Sequence, residues 1–310
     1  MACLRACQRR RAMVQLSLAA LGLGLVSAER ASTQPRCVLV TGSTDGIGRH
    51  TASLLSQASP GLRLLLHGRD DLRLRQTKEQ ILALAPSTRI DLVRGDLSDP
   101  AEVRGMAAKV LSLTDELDVF VQNAGVFQTD PVWTSEGLET TFAVNVAAPF
   151  LLAAMLFPLM QATPEARMLL VSSISQSDGD GLDLDDLQLQ RPGRWTPYRA
   201  YGWSKRMVAM VAAELSRRCS PSELVVSSCD PGTVNTKMLL AGWDRCGVEV
   251  SQANDEFELV RDFDPSRHGR YFVARRESRC HPDVSELDRR RRLWTSLEHI
   301  TGTSFLRDRA

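Results

Sequence analysis

Short apolar runs recur along this chain with longer helix-patterned segments between them, and that alternation constrains the fold more than any other feature. The runs are Cys37 to Val40, Arg63 to His67, Ile90 to Val93, Leu117 to Val121, Met168 to Val171 and Leu224 to Ser227. Gly48 to Gln57 and Ala101 to Leu113 are two of the segments with helical spacing. A strand that is apolar at successive positions, not at every second one, is covered on both faces, and strands joined through helices pair in parallel. The pattern predicts an α/β fold, a doubly wound parallel sheet in a single domain over residues 36–310. No internal repeat and no linker divides it. Two irregular stretches, at about 175–200 and 237–270, are expected to be loops on the substrate side. The first of them, polar and acidic, is expected to run over the surface.

With 43% hydrophobic and 24% charged residues the chain can bury a full-sized core, and a formal net charge of +1 gives no footprint for nucleic acid. The seven cysteines include no Cys-x-x-Cys pair and no histidine at ligand spacing, so no metal site is expected. The first 35 residues differ in texture. Arg5, Arg9, Arg10 and Arg11 precede an apolar run from Met13 to Val26, and no acid occurs before Glu29. That run is shorter than the ~20 apolar residues of a comfortable membrane span. A basic flank, a short apolar stretch and small Ser27-Ala28 fit a secretory signal or an anchor in the endoplasmic reticulum or another endomembrane. The same Arg-rich, acid-poor segment also fits a mitochondrial or plastid transit peptide.

Thr41-Gly42-Ser43-Thr44-Asp45-Gly46-Ile47-Gly48 follows the first strand and opens a helix. Glycines let such a turn approach a pyrophosphate, whose charge then sits at the helix N-terminus. A bare strand-to-helix connection that needs positive φ would show the same glycines, but the strand before and helix after favour a cofactor turn. No Lys-Ser/Thr follows the last glycine, which disfavours a P-loop. At the end of the second strand stands His67-Gly68-Arg69-Asp70. Arg69 there suits a ribose 2′-phosphate and favours NADP(H), while Asp70 leaves NAD(H) open.

Tyr201 and Lys205 lie four residues apart at the start of a helical run, on one face and one turn apart. A phenol titrating near pH 10 is a poor base at neutral pH, and a neighbouring ammonium is expected to lower its pKa into a useful range. Tyr198, four residues before Gly202, has no such partner.

Together these motifs resemble the short-chain dehydrogenase/reductase family, over nearly everything from Cys37 to Val273. Thr41 to Gly48 resembles its cofactor turn, Asp96-Leu97 its adenine-holding pair, and Asn123-Ala124-Gly125 the segment lining the cofactor. Asn145 stands at the place of the family's helix-kinking Asn, and Ser173 at that of its substrate-holding Ser. Pro231-Gly232-Thr233-Val234-Asn235-Thr236 is similar to the turn over the nicotinamide. The resemblance implies a Rossmann fold in which Tyr201 exchanges a proton with the substrate oxygen. It further implies that Lys205 binds the nicotinamide ribose, Ser173 holds the reacting oxygen and Asn145 holds a relay water. Pro231, Gly232, Val234 and Thr236 would close over the cofactor.

Gln122 departs from the family's more usual Asn, and the gap from Ser173 to Tyr201 is longer than in much of the family. That gap, with Gly269 to Val273 and Arg292-Leu293-Trp294, resembles the retinol dehydrogenase and WW-domain oxidoreductase branch. The implied activity is NADP(H)-dependent hydride transfer to or from a small lipophilic alcohol or carbonyl compound, with homodimerisation by analogy. The alternative is a nicotinamide-binding regulatory or scaffold protein with little turnover. Trp243, just beyond the nicotinamide turn, is expected to line the substrate pocket, and Arg289 to Arg292 to form a solvated helix face.

Overall fold

A computed structural model describes residues 35–305 of the chain; the targeting or anchor segment expected at 1–35 lies, apart from Pro35, outside the described residues. Each apolar run forms a strand: β1 (Cys37–Val40), β2 (Arg63–Gly68), β3 (Arg89–Arg94), β4 (Val119–Gln122), β5 (Arg167–Val171) and β6 (Val225–Asp230). Two short strands, β7 (Tyr271–Val273) and β8 (Arg276–Glu277), extend the sheet past the expected set. The order is β3-β2-β1-β4-β5-β6-β7-β8, parallel throughout except for the antiparallel β7–β8 pair. Strand order reverses between β1 and β4, which opens a crevice at the carboxyl ends of the central strands.

Successive residues of β1 serve opposite faces. Leu39 joins one core with α3 (Pro100–Leu113), α5 (Pro197–Arg218) and α9 (Leu287–Thr301), while Val38 and Val40 join the other. That second core packs under α1 (Gly46–Ala58), α2 (Asp71–Leu84) and α7 (Asp255–Val260). Continuous apolarity in the strands thus reflects a sheet buried on both sides.

The helix α4 (Thr140–Gln161) is apolar enough and long enough to cross a membrane by composition, yet 78% of its most apolar window is buried inside the protein. A helix apolar all round is what a doubly covered position in the core requires. Residues Ala143–Ala147 of α4 form a π-helical turn centred on Asn145.

The acidic stretch after Ser177 does not simply run over the surface. Leu182, Leu184, Leu187 and Leu189 are buried in the core that contains α9. The fully buried Arg206 donates to the carbonyls of Gln176, Asp178 and Asp180 and to Asp283 at 3.2 Å. The arginine run is only in part a solvated face: Arg289 pairs with Asp283 and Arg290 with Glu214, both partly buried, whereas Arg292 and its partner Asp185 are exposed. A guanidinium presents a fork of donors, so Arg289 and Arg290 bind the stretch after Ser177, α5 and α9 together where a lysine would reach fewer partners.

Candidate active site

The cofactor turn is held by the strands on both sides of it. Gly42 has φ +66°, and its N–H donates to His67 Nδ1 at 3.2 Å. His67 Nε2 meets the Gly95 carbonyl at 3.0 Å, and burial holds the ring neutral with its pKa near 4. Ser43 is fully buried and exchanges hydrogen bonds with the His67 backbone, so it braces β2 and does not face the cleft. A Cβ at Gly48 would lie 2.3 Å from Asn123 Nδ2 and 2.6 Å from the Gly42 carbonyl, so no other residue fits. Asn123 in turn donates to the Thr41 carbonyl at 2.8 Å and ties β4 to the turn.

Asp45 caps α1 through Gly46 N–H at 2.9 Å and pairs with Arg73 at 2.7 Å and Lys237 at 2.8 Å. Partial burial pushes its carboxyl up, but these partners win and leave it at about 2. Arg69 is 71% exposed at the cleft edge, 3.7 Å from Asp96. Asp70 does not line the cleft: its carboxylate caps α2 by accepting from Arg73 N–H at 2.9 Å. Asp96 accepts from Ser98, and Leu97 lies beside it at the same rim.

A single cleft of about 500 Å³ runs from this turn to the start of α5. It is lined by Gly42, Thr44, Asp45, Gly46, Ile47, Gly48, Arg69, Asp96 and Leu97 at one end. Asn123, Ala124 and Gly125 form its floor, Ser173, Tyr201, Lys205, Pro231, Gly232 and Val234 line its other end, and Thr236 sits beside Gly46 of the turn. The structure therefore brings the expected residues together, with Ser43 and Asn145 behind the wall.

Tyr201 stands one turn into α5, whose N-terminus is capped by Thr196. Its hydroxyl hydrogen-bonds the Ser173 side chain, and Lys205 Nζ lies 5.6 Å from its ring centroid. The Lys205 ammonium donates to the Val171 carbonyl at 3.0 Å. A Cβ at Gly125 would sit 3.3 Å from both Lys205 Nζ and Asn145 Oδ1, so that glycine leaves space for both. Asn145 Nδ2 donates to Val126 O and to Ser204 Oγ, each at 3.0 Å, and Oδ1 accepts from Val126 N–H at 2.8 Å. Its amide is thus engaged in bracing the segment after β4.

The expected lowering of the Tyr201 pKa is not found. Burial raises the phenol to about 12, with Asp230 adding and the Ser173 hydrogen bond opposing. Desolvation disfavours the phenolate more than a neighbour can offset. Lys205 moves the other way, down to about 8, because burial disfavours its charge while Glu256, Cys229 and Asp230 hold it up. Glu256 on α7 is completely buried, accepts from Thr51 Oγ1 at 3.1 Å, and has no partner for Oε1 among the described residues. Burial raises its carboxyl to about 7.

Sequence reasoning missed Arg73, Lys237 and His67, all of which line the cleft. Arg73 had a legible signal, lying four residues after Arg69 in the first turn of α2; Lys237 and His67 had none, because their partners come from other elements. Among the described residues no group of metal-ligating side chains gathers.

A family model described as short chain dehydrogenase matches residues 36–181. A Streptomyces sp. (strain C5) protein named for a daunorubicin C-13 ketoreductase is 36% identical over 203 residues, covering 66% of this chain and 67% of that one. The chain belongs to the short-chain dehydrogenase/reductase family. It is an oxidoreductase acting on CH–OH groups, and it falls in the retinol dehydrogenase-like branch. Mouse retinol dehydrogenase 13 is 28% identical over 299 residues, covering 88% of this chain and 86% of the relative. Among solved structures, an NADPH-bound carbonyl reductase from chicken fatty liver superposes with a TM-score of 0.60 at 22% identity. That match covers 77% of this chain and 96% of the reductase, and it shares the fold.

Proposed function

We propose that this oxidoreductase uses NADP(H) to interconvert a small hydrophobic alcohol and its carbonyl compound, with Tyr201 as general acid and base. The observation that carries the reading is one cleft holding both ends of such a reaction. At one end is a glycine turn with Arg69 and Arg73; at the other, Tyr201 bonded to Ser173 beside Lys205. The names of the relatives support it, retinol dehydrogenase 13 and polyprenol dehydrogenase among them, as does the NADPH bound in the chicken reductase.

The residues present fit a nicotinamide dinucleotide, because Gly42, Gly46 and Gly48 of the turn into α1 line the same cleft as Tyr201 and Lys205 and present backbone without side chains to it. Thr44, Asp45, Gly46 and Ile47 at the start of α1 would hold the diphosphate, and Arg69 with Arg73 a 2′-phosphate. Asp96 and Leu97 would flank the adenine. Asn123, Ala124, Gly125 and Lys205, with Pro231, Gly232, Val234 and Thr236, would hold the nicotinamide riboside. When bound, the reduced cofactor supplies the hydride that the carbonyl carbon accepts, and is itself oxidised.

The chain's own part is proton transfer and placement. A phenol with a pKa of about 12 keeps its proton at neutral pH and can give it to a developing alkoxide. Ser173 hydrogen-bonds the same oxygen and fixes its position. Lys205, its pKa near 8, remains largely charged at pH 7 and favours the phenolate that donation leaves behind.

A panel of lipophilic aldehydes, ketones and alcohols assayed with NADPH and NADH tests this. Turnover preferring NADPH is expected, and Tyr201→Phe should lose about 10²- to 10⁴-fold in kcat while still binding cofactor. Unchanged turnover in that variant removes Tyr201 from the chemistry; a clear preference for NADH overturns the role of Arg69. Residues 1–35 are proposed to target or anchor the chain, and equal distribution of tagged full-length and 36–310 forms in cell fractions would dismiss that.

A further inference from the structure

Beside Tyr201 the structure gathers three more rings from distant parts of the chain. Trp243, at the end of α6 (Lys237–Gly242), lines the cleft; Phe127 and Tyr198 stand behind it, outside the lining. Ring centroids are 4.8 Å apart for Phe127–Trp243, 5.3 Å for Tyr198–Trp243 and 5.5 Å for Phe127–Tyr198. The same indole lies 5.8 Å from the Tyr201 ring at 67°. Two devices hold this arrangement. Tyr198 Oη donates to the Gly242 carbonyl at 2.5 Å, and a Cβ at Gly242 would lie 2.8 Å from the Phe127 ring, so the α6 backbone rests directly on that ring. The segment is also pinched at its base, where Asn235 exchanges hydrogen bonds with Gly247 at 2.7 and 2.9 Å. α6 itself has no buried residue, so the rings and this pinch, not core packing, decide where Trp243 sits.

We propose that Trp243 is the specificity-determining wall of the substrate site and selects carbonyl compounds bearing an aromatic ring directly on the carbonyl, with Phe127 and Tyr198 as its positioning residues. The inference rests on the proposed reaction and names its substrate class. A ring conjugated to a carbonyl is electron-poor and stacks offset on an electron-rich indole, a gain that a saturated ring of equal size lacks. With indole and phenol rings 5.8 Å apart and both lining the cleft, a ring seated on Trp243 is a neighbour of Tyr201. A flexible chain would also lose rotamer freedom on ordering there.

The test compares kcat/KM for acetophenone and cyclohexyl methyl ketone with NADPH, using the full chain. Intrinsic reactivity cancels when the ratio in a variant is divided by the ratio in the parent. Trp243→Leu should lower the aryl-to-cyclohexyl ratio about fivefold, mainly through KM, and Trp243→Phe should recover most of it. Tyr198→Phe keeps the ring and loses only the bond to Gly242; it should lower the ratio about twofold. If both ketones are reduced and Trp243→Leu leaves the ratio unchanged, Trp243 does not select for the ring and the inference falls while the proposed reaction stands. If the parent protein reduces neither ketone, nor any carbonyl compound of the wider panel, the proposed reaction falls and takes the inference with it.

Discussion

At the dinucleotide end of the cleft nearly every group is committed to the frame: Gly42 to His67, Ser43 to β2, Asn123 to Thr41 and Asp45 to Arg73. At the substrate end the wall is a six-residue helix without a buried side chain, held by ring contacts, one phenolic hydrogen bond, the Asn235–Gly247 pinch and the Lys237–Asp45 ion pair. The first end is fixed by strands that also carry the core, so it can present backbone to a ligand that does not vary. The second is attached to that frame at few points, so its residues can change without disturbing the sheet. Binding an invariant group and choosing among substrates place different demands on stability, and the two ends separate them.

The largest effect tests the point where the ends meet. Tyr201→Phe removes the only proton donor proposed for the reaction, and its loss of about 10²-fold or more in kcat should leave NADPH affinity within about threefold. A parallel loss of cofactor binding, read by fluorescence titration, would mean that the two ends are not separable there.

Next in size is a pH-dependent stability term under the floor. Glu256 has its folded pKa raised from 4.5 to about 7, so between those values the folded chain holds a proton that the unfolded chain has released. Stability therefore falls as pH rises through that window, and the full penalty stands above pH 7. Glu256→Gln keeps an acceptor for Thr51 and removes the ionisation. It should gain about 1–3 kcal/mol against urea at pH 8 and almost nothing at pH 4. An equal change at both pH values would show that the carboxyl is not titrating in the fold.

Gly48→Ala should cost about 1–3 kcal/mol and weaken NADPH binding at least tenfold, because its methyl group collides with Asn123 and the Gly42 carbonyl. Unaltered melting would mean that the dinucleotide end is as loosely held as the other. Arg73→Ala should cut the NADPH-to-NADH preference by about tenfold, the size of one charge-assisted contact; no change in that ratio leaves Arg73 as a partner of Asp45 alone. The smallest effect belongs to the substrate wall. Trp243→Leu should shift stability by less than about 0.5 kcal/mol, as expected for a residue outside the core. A loss of several kcal/mol would make α6 part of the frame and erase the contrast.

What could be read in advance follows the same division. The cofactor turn and the Tyr201–Lys205 pair are local patterns, complete within eight and five residues, so spacing alone exposes them. Asp70, the residue that left NAD(H) open, caps α2 instead; an Asp directly before a helix is an N-cap signature. The partial burial of Arg289 and Arg290 was hidden because Leu182 and Glu214, which they bind, lie far off in the chain. Trp243 was legible from its place after the nicotinamide turn, whereas Phe127 and Tyr198 were not, since they meet it only in the folded chain.

The sequence by itself determined the strand-helix alternation, the bare glycine turn and the phenol one helical turn before an amine, because periodicity and short spacings are encoded residue by residue. Only the tertiary structure decided that Tyr201 sits at about 12 instead of below 10, that Lys205 sits near 8, and that three distant rings converge beside them. Those outcomes depend on desolvation and on long-range packing. Both are properties of everything that surrounds a group in space, and no short stretch of sequence contains that list.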